Sequence, residues 1–348
     1  MAEVLITGGA GFIGCAVANH HLAKGDSVTV FDNLSRKGTP HNLAWLREQP
    51  GGNTLTFIQG DIRDAEAMEN AVSPSVERVY HLAGQVAVTT SVVAPREDFE
   101  INALGTFNML EAVRAKAPSA IVFYSSTNKV YGGLEGRTVE EGDLRYCLAD
   151  RPHGISEDEP LDFHSPYGCS KGCGDQYVRD YARMYGLRTV VFRQSCIYGT
   201  RQFGVEDQGW VAHFCLATKF DRPLKIYGNG KQVRDLLFID DLVGAYESAA
   251  QHIEVTAGQV YNVGGGPEFT LSIWKEFGPI LEQLNGAPPP VALEDWRPGD
   301  QPIYVSDIRK AKRDFGWEPK VSTAEGLEKL WSWIGENERV LRETFGAS

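Results

Sequence analysis

Gly8-Gly9-Ala10-Gly11-Phe12-Ile13-Gly14 is the stretch on which the reading of this chain turns. Before it, Glu3 to Thr7 is a short apolar run. After it, Phe12 to Lys24 has helical spacing, and Ser27 to Phe31 is apolar, β-branched and followed by Asp32. That is β, α, β in about thirty residues. In such a unit Gly8 permits the tight turn, Gly11 lets backbone N–H groups approach a pyrophosphate, and Gly14 lets helix and strand pack closely. The anion then sits at a helix N-terminus. Asp32 can accept hydrogen bonds from both adenosine ribose hydroxyls and would repel a 2′-phosphate, so NAD is expected rather than NADP. Arg36 and Lys37 admit two readings, partners for such a phosphate or loop charges with Arg36 flanking the adenine. Asp61, after Gly60, can reach the adenine amino group or cap the helix that starts at Ala65.

The same rhythm continues outward. Apolar runs at Thr54 to Ile58, Glu77 to Leu82, Ala120 to Tyr124 and Arg188 to Phe192 alternate with helical intervals at Ala65 to Val72, Pro95 to Ala115 and Pro166 to Tyr185. Buried strands alternating with helices predict an α/β fold, a Rossmann-type doubly wound parallel sheet covered on both faces. Beyond Gly199, turn clusters such as Tyr227-Gly-Asn-Gly230 and Ala287-Pro-Pro-Pro290 separate shorter elements, predicting a smaller C-terminal α/β substrate lobe. The expected division is 1–198 for the dinucleotide-binding part and 199–348 for the lobe, with 234–264 partly returning to the first sheet. A single helix is expected over Ala324 to Thr344, burying Leu327, Leu330, Trp331 and Ile334.

With 348 residues, 42% hydrophobic, the chain can bury a sizeable core. No apolar run spans a membrane and no basic, cleavable leader precedes Glu3, so a cytosolic enzyme is expected. Thirty-four Lys and Arg against 46 Asp and Glu leave a net charge of -12, which repels nucleic acid and anionic membrane. The six cysteines form no Cys-x-x-Cys pair, and Cys169 and Cys173 alone make no zinc site, so neither disulfide framework nor metal is expected.

Tyr167 and Lys171 stand four apart at the start of a helix opened by Ser165-Pro166 and so share a face. An ammonium beside a phenol favours the phenolate, which predicts a tyrosine pKa pulled from about 10 toward neutrality and a base for a sugar hydroxyl. Upstream, Tyr124-Ser-Ser-Thr127-Asn-Lys-Val-Tyr-Gly132 leaves a strand at the carboxyl edge of the sheet, where doubly wound folds bind ligands. Thr127 there can hydrogen-bond the reacting oxygen.

With these residues the chain resembles the extended short-chain dehydrogenase/reductase family, in its branch of NAD-dependent nucleotide-sugar epimerases and dehydratases. The likeness runs nearly the whole length, through His81-Leu-Ala-Gly84, Asn102, Arg193 to Gly199, Gly228-Asn-Gly-Lys-Gln-Val-Arg234-Asp235, Tyr261-Asn-Val-Gly264 and Arg297-Pro-Gly-Asp300. It implies Thr127, Tyr167 and Lys171 as the catalytic trio. It implies NAD contacts from Gly8, Gly11, Phe12, Ile13, Gly14, Asp32, Asn33, Ser35, Arg36, Asp61, Ile62, Leu82, Ala83, Gly84, Asn102 and Ser125, with Tyr167 and Lys171 at the nicotinamide ribose.

Dehydratases of that family carry Asp-Glu directly after the threonine; here those positions are Asn128 and Lys129, so the resemblance implies epimerisation through a transient ketone. Its wording is most similar to the branch acting at C2 of CDP-sugars. A UDP-sugar 4-epimerase, a net dehydrogenase and a non-catalytic NAD-binding sensor are the competing readings. A CDP-sugar brings roughly two negative charges to an acidic chain, so arginines must compensate, and Arg201, Arg234 and Arg297 are the candidates. Gln85, Thr89, Asn128, Lys129, His164, Gln194, Ser195, Gln208 and Tyr227 complete the expected sugar-nucleotide pocket. The resemblance also implies a homodimer or homotetramer, through the helices at Pro95 to Ala115 and Pro166 to Tyr185.

Overall fold

β-Branched and aromatic runs become strands in the computed structural model, which describes residues 1–297 and 300–346. Glu3–Thr7 (β1), Ser27–Asp32 (β2), Leu55–Gln59 (β3), Arg78–His81 (β4) and Ile121–Thr127 (β5) join Arg188–Gln194 and Gln259–Val263 in one parallel sheet. Its order is Gln259–Val263, Arg188–Gln194, β5, β4, β1, β2, β3. The register sets Thr7 beside Phe31 and His81, and Thr127 beside Gln194, so the carboxyl ends form one edge.

Alternation along each strand feeds two cores. Val4 and Ile6 pack with Ala18, Leu22 and Tyr246 on one face, and Leu5 packs with Met109, Val113 and Val178 on the other. Strand Val233–Phe238 belongs instead to a small second sheet with Cys196–Tyr198, Thr270–Ser272 and Ile303–Tyr304. Of the stretch 234–264, therefore, Gln259–Val263 is the part that enters the main sheet.

Two helices differ from their expected course. Pro95–Phe99 and Gly105–Lys116 are joined by a π-helical segment, Glu100–Leu104, in which Asn102 is buried. The C-terminal helix is two, Thr323–Glu336 and Glu338–Phe345, separated at Asn337, whose φ of -111° and ψ of 17° leave the α-helical range and whose side chain donates to the Trp333 carbonyl (2.8 Å). Trp333 is buried in its stripe, while Trp331 is half-buried beneath Lys219. No helix among the described residues is long and apolar enough to cross a membrane.

At the opposite edge of the sheet, Glu247 accepts from Lys24 Nζ and Arg78 Nη1, each at 2.6 Å. Burial pushes its pKa up, but the His20 ring 3.7 Å away, the Lys24 hydrogen bond and the charges of Arg78 and Lys24 overcome this and hold it well below the carboxylate range. A depressed folded-state pKa stabilises above the unfolded value, near 4.3 or roughly so, and that stability is lost as pH falls toward the folded value. Glu247→Gln should therefore lower the urea midpoint near neutrality, with the deficit shrinking below about pH 4. A deficit independent of pH would show that packing, not charge, is lost.

Candidate active site

The glycine turn is built by steric exclusion. Gly8 has φ +70°, and a Cβ on it would stand 2.6 Å from the Ala83 nitrogen; one on Gly14 would stand 2.2 Å from the Gly8 carbonyl oxygen. Gly11 is the N-cap of helix Phe12–Ala23 and carries no capping side chain, leaving the first N–H groups facing the cleft. The Asp32 carboxylate accepts from the backbone N–H groups of Ala10 (3.0 Å) and Leu34 (2.8 Å) at the end of β2. Burial pushes its pKa up, against those two bonds and the Arg36 charge.

A cleft of about 580 Å³ opens over this edge, within the range of small-molecule sites. Gly8, Gly11, Phe12, Ile13, Gly14, Asp32, Asn33, Ser35, Arg36, Asp61, Ile62, Leu82, Ala83, Gly84 and Ser125 line it. A cradle that admits no side chain at Gly8 or Gly14, a helix start and a carboxylate at the end of β2 fit a dinucleotide. Of the expected cofactor residues, Asn102, Tyr167 and Lys171 are not part of this lining. Gly14→Ala forces a methyl group into rigid backbone, an intrusion of about 1–3 kcal/mol, so NAD should bind about tenfold to a hundredfold more weakly. Isothermal titration with NAD checks this, and unchanged affinity would refute the role of the turn.

Asp61 is not free: Arg63 pairs with it through Nε (3.0 Å) and Nη2 (2.8 Å), and Asn33 donates at 3.0 Å. The Arg63 bonds lead in holding its pKa down at about 2. Asp64, rather than Asp61, caps helix Ala65–Ala71.

Beyond Gly84 lies the proposed reaction centre. A Cβ on Gly84 would be 3.0 Å from Asn102 Oδ1 and 3.8 Å from Lys171 Nζ. Asn102 Oδ1 accepts from the Gln85 N–H, while its Nδ2 donates to the Gln85 carbonyl, both at 3.0 Å, fastening the π-helical segment to the cleft wall. Thr127 ends β5 and caps the turn Asn128–Tyr131, accepting from the Lys129 N–H at 3.2 Å.

Tyr167 and Lys171 share the first turns of helix Ser165–Tyr185, 7% and 5% exposed. Burial pushes the Tyr167 phenol up to about 12, against the Thr127 hydroxyl and the Arg36 charge, with Asp98 adding to the rise. Burial outweighs these neighbours, so no descent of the phenol toward neutrality is seen. Burial likewise lowers Lys171 to about 7, partly offset by Asp175 and Asp98, with its Nζ 4.3 Å from the Tyr124 ring centre.

The expected sugar-nucleotide residues divide. Gln85 and Gln208 line the cleft, but Thr89 is exposed on the outer side of its helix and Thr90 lines the cleft in its place. His164 is part-exposed and faces Asp162 at 3.0 Å. Gln194 is held in the core by Ser125 and Tyr246, and Ser195 donates to buried Asp235.

Each of the three arginines has its own partners. Arg201 lines the dinucleotide cleft and stacks 4.0 Å over Trp45. Arg234 bonds Asp300 at 3.1 Å. Arg297 bonds Glu206 at 3.1 Å and lies 3.7 Å over Tyr227, whose hydroxyl donates to the same Glu206. Pro298 and Gly299 of that motif lie outside the described residues.

Asn128 is buried, and Lys129 Nζ reaches Gln301 Oε1 at 3.3 Å. Burial, then the Arg234 charge, lower Lys129 to about 8. Sequence reasoning missed Asp98, Ser170 and Arg63. Among the described residues no group of three His, Cys, Asp or Glu is arranged to hold a metal.

The family model described as GDP-mannose 4,6 dehydratase matches residues 5–330. CDP-paratose 2-epimerase of Salmonella typhi is 44% identical over 337 residues, 95% of this chain and 98% of that one. Among solved structures, UDP-glucose 4-epimerase of Thermotoga maritima with UDP-glucose superposes with TM-score 0.82 at 31% identity, covering 97% of this chain and 100% of that one. A dTDP-glucose 4,6-dehydratase of Streptomyces venezuelae with NAD bound gives TM-score 0.82 at 30% identity over 97% and 98%. The chain therefore belongs to the GDP-mannose 4,6 dehydratase family of the extended short-chain dehydrogenases/reductases, NAD-dependent epimerases and dehydratases of nucleotide sugars.

Proposed function

We propose that the protein epimerises a CDP-hexose at C2, of the CDP-paratose to CDP-tyvelose type, through a transient 2-keto sugar. The observation that carries this is the turn capped by Thr127: it presents Asn128 and Lys129 and no carboxyl group. Eliminating water needs an acid for the leaving hydroxyl and a base for the adjacent proton. Oxidation and return at one carbon need a single proton carrier. Similarity to the Salmonella typhi CDP-paratose 2-epimerase supports the choice of carbon and nucleotide.

When bound, NAD supplies the hydride acceptor and a positive ring charge. Tyr167 takes the C2 hydroxyl proton and later returns it, Thr127 holds the same oxygen, and Lys171 stands on the cofactor side beside Gly84. A phenol buried this deeply is protonated until charge and substrate arrive, so the proton carrier is armed by ligand binding. Arg234, beside Lys129, meets the diphosphate by exchanging its Asp300 partner.

The test offers CDP-paratose, CDP-glucose and UDP-glucose to the NAD-loaded enzyme and follows products by proton NMR. Inversion at C2 of a CDP-sugar is expected; inversion at C4 or loss of water would overturn the proposal.

We also infer a homodimer. Val93 (85% exposed), Met184 (68%), Phe99, Phe107 and Tyr177 leave an apolar face on helices Val88–Val93, Pro95–Phe99, Gly105–Lys116 and Ser165–Tyr185. Met184→Glu should yield a monomer in analytical ultracentrifugation, and an unchanged sedimentation coefficient would move the interface elsewhere. The free cysteines suit a reducing compartment, the cytoplasm.

A further inference from the structure

Asp98 is a buried carboxyl group to which, among the described residues, no cation is bonded. It is 1% exposed, and its oxygens accept from neutral donors: Gln85 Nε2 at 2.8 Å, Asn102 Nδ2 at 3.2 Å and the Ser170 hydroxyl. Burying an ionised carboxylate without a counter-charge is costly. The next residue after Ser170 is Lys171, equally buried and, among the described residues, in no ion pair.

The groups around Lys171 narrow the choice. From the helix face below, Asp175 is engaged by Arg193 through both nitrogens, at 2.9 and 3.0 Å. From the sheet, Tyr124 presents its ring, and His81 behind it is kept neutral by burial. Tyr167, one turn earlier on the same helix, is kept protonated by burial. From the π-helical side comes Asp98, the carboxylate not already paired with a cation. Asn102 links the two residues: its Nδ2 donates to Asp98, while its Oδ1 and Lys171 Nζ lie 3.0 and 3.8 Å from the place a Cβ on Gly84 would take.

We propose that Asp98 is a positioning residue for the Tyr167 and Lys171 pair, the counter-charge that keeps Lys171 an ammonium ion once the cofactor has displaced water from the cleft. This rests on reading Tyr167 and Lys171 as the proton-transfer pair. Without Asp98 the lysine loses its proton more readily, and a neutral amine neither attracts a phenolate nor donates with the same strength.

The experiment titrates lysine Cε signals of the NAD-saturated enzyme by carbon-13 NMR, with Lys171→Met assigning the resonance. Asp98→Asn should lower the Lys171 midpoint by about half to one pH unit, and Asp98→Glu should restore it. A structural role alone would leave the midpoint in place, and an unmoved midpoint in Asp98→Asn overturns the proposal. The wild-type protein gives a reading that needs no variant at Asp98 to fold: its carboxyl carbon should report an ionised group at neutral pH, and a protonated one overturns the proposal equally. Turnover of Tyr167→Phe, measured alongside, separates the two ideas. Retained turnover sinks the proton-transfer reading, whereas lost turnover with an unmoved Lys171 midpoint sinks the role of Asp98 alone.

Discussion

Tyr167→Phe should stop epimerisation while leaving NAD in place. The phenol is the group placed beside Thr127 that can carry the sugar proton, and a positioned acid or base contributes about a hundredfold to ten-thousandfold in rate. The ring remains to fill its buried place, so the fold and the glycine cradle are untouched. Turnover with the nucleotide sugar identified by NMR, read beside the NAD content of the purified variant, checks both halves. A variant losing less than about tenfold in rate would remove Tyr167 as the proton carrier.

A loss as large, but in stability, is expected at the base of the same helix. Asp175 and Arg193 have side chains 0% and 3% exposed and pair at 2.9 Å, with Ser126 also donating to Asp175. Arg193 continues to the Tyr131 hydroxyl, which donates to Asn262. The pair thus ties helix Ser165–Tyr185 to three strands under the reaction centre. Asp175→Ala leaves a guanidinium buried without its partner and should cost about 3–5 kcal/mol, visible as a lowered urea midpoint. The double replacement Asp175→Leu with Arg193→Met removes both charges and should recover most of that loss. Equal deficits in the single and double variants would mean that shape, not uncompensated charge, is responsible.

Local chemistry made much of this fold readable in advance. Gly8, Gly11 and Gly14 announce a backbone that must pass close to something, and apolar β-branched runs announce strands. The interval of four between Tyr167 and Lys171 announces a shared helix face. Features that depend on partners distant in the chain were not readable. Asp98 looks like a solvated helix charge until Ser170, 72 residues later, is set against it. The bonds from Asn102 in the π-helical segment to the Gln85 backbone, 17 residues earlier, are hidden by its helical periodicity. The arginines' partners were hidden too, because they come from other segments of the chain: Asp300 for Arg234, and Glu206 for Arg297. How strongly burial raises the phenol's pKa was hidden likewise, since an interval along a helix says nothing about how much water surrounds it.

Strand Gln259–Val263, which hydrogen-bonds Arg188–Gln194 at the margin of the main sheet, has a consequence for biosynthesis. While the chain is emerging from the ribosome, that margin stays open until residue 263 has been made, long after the glycine turn has left the exit tunnel. A chain cut short after residue 200 and released would present an unpaired ladder, Val190 to Gln194, to any neighbouring polypeptide.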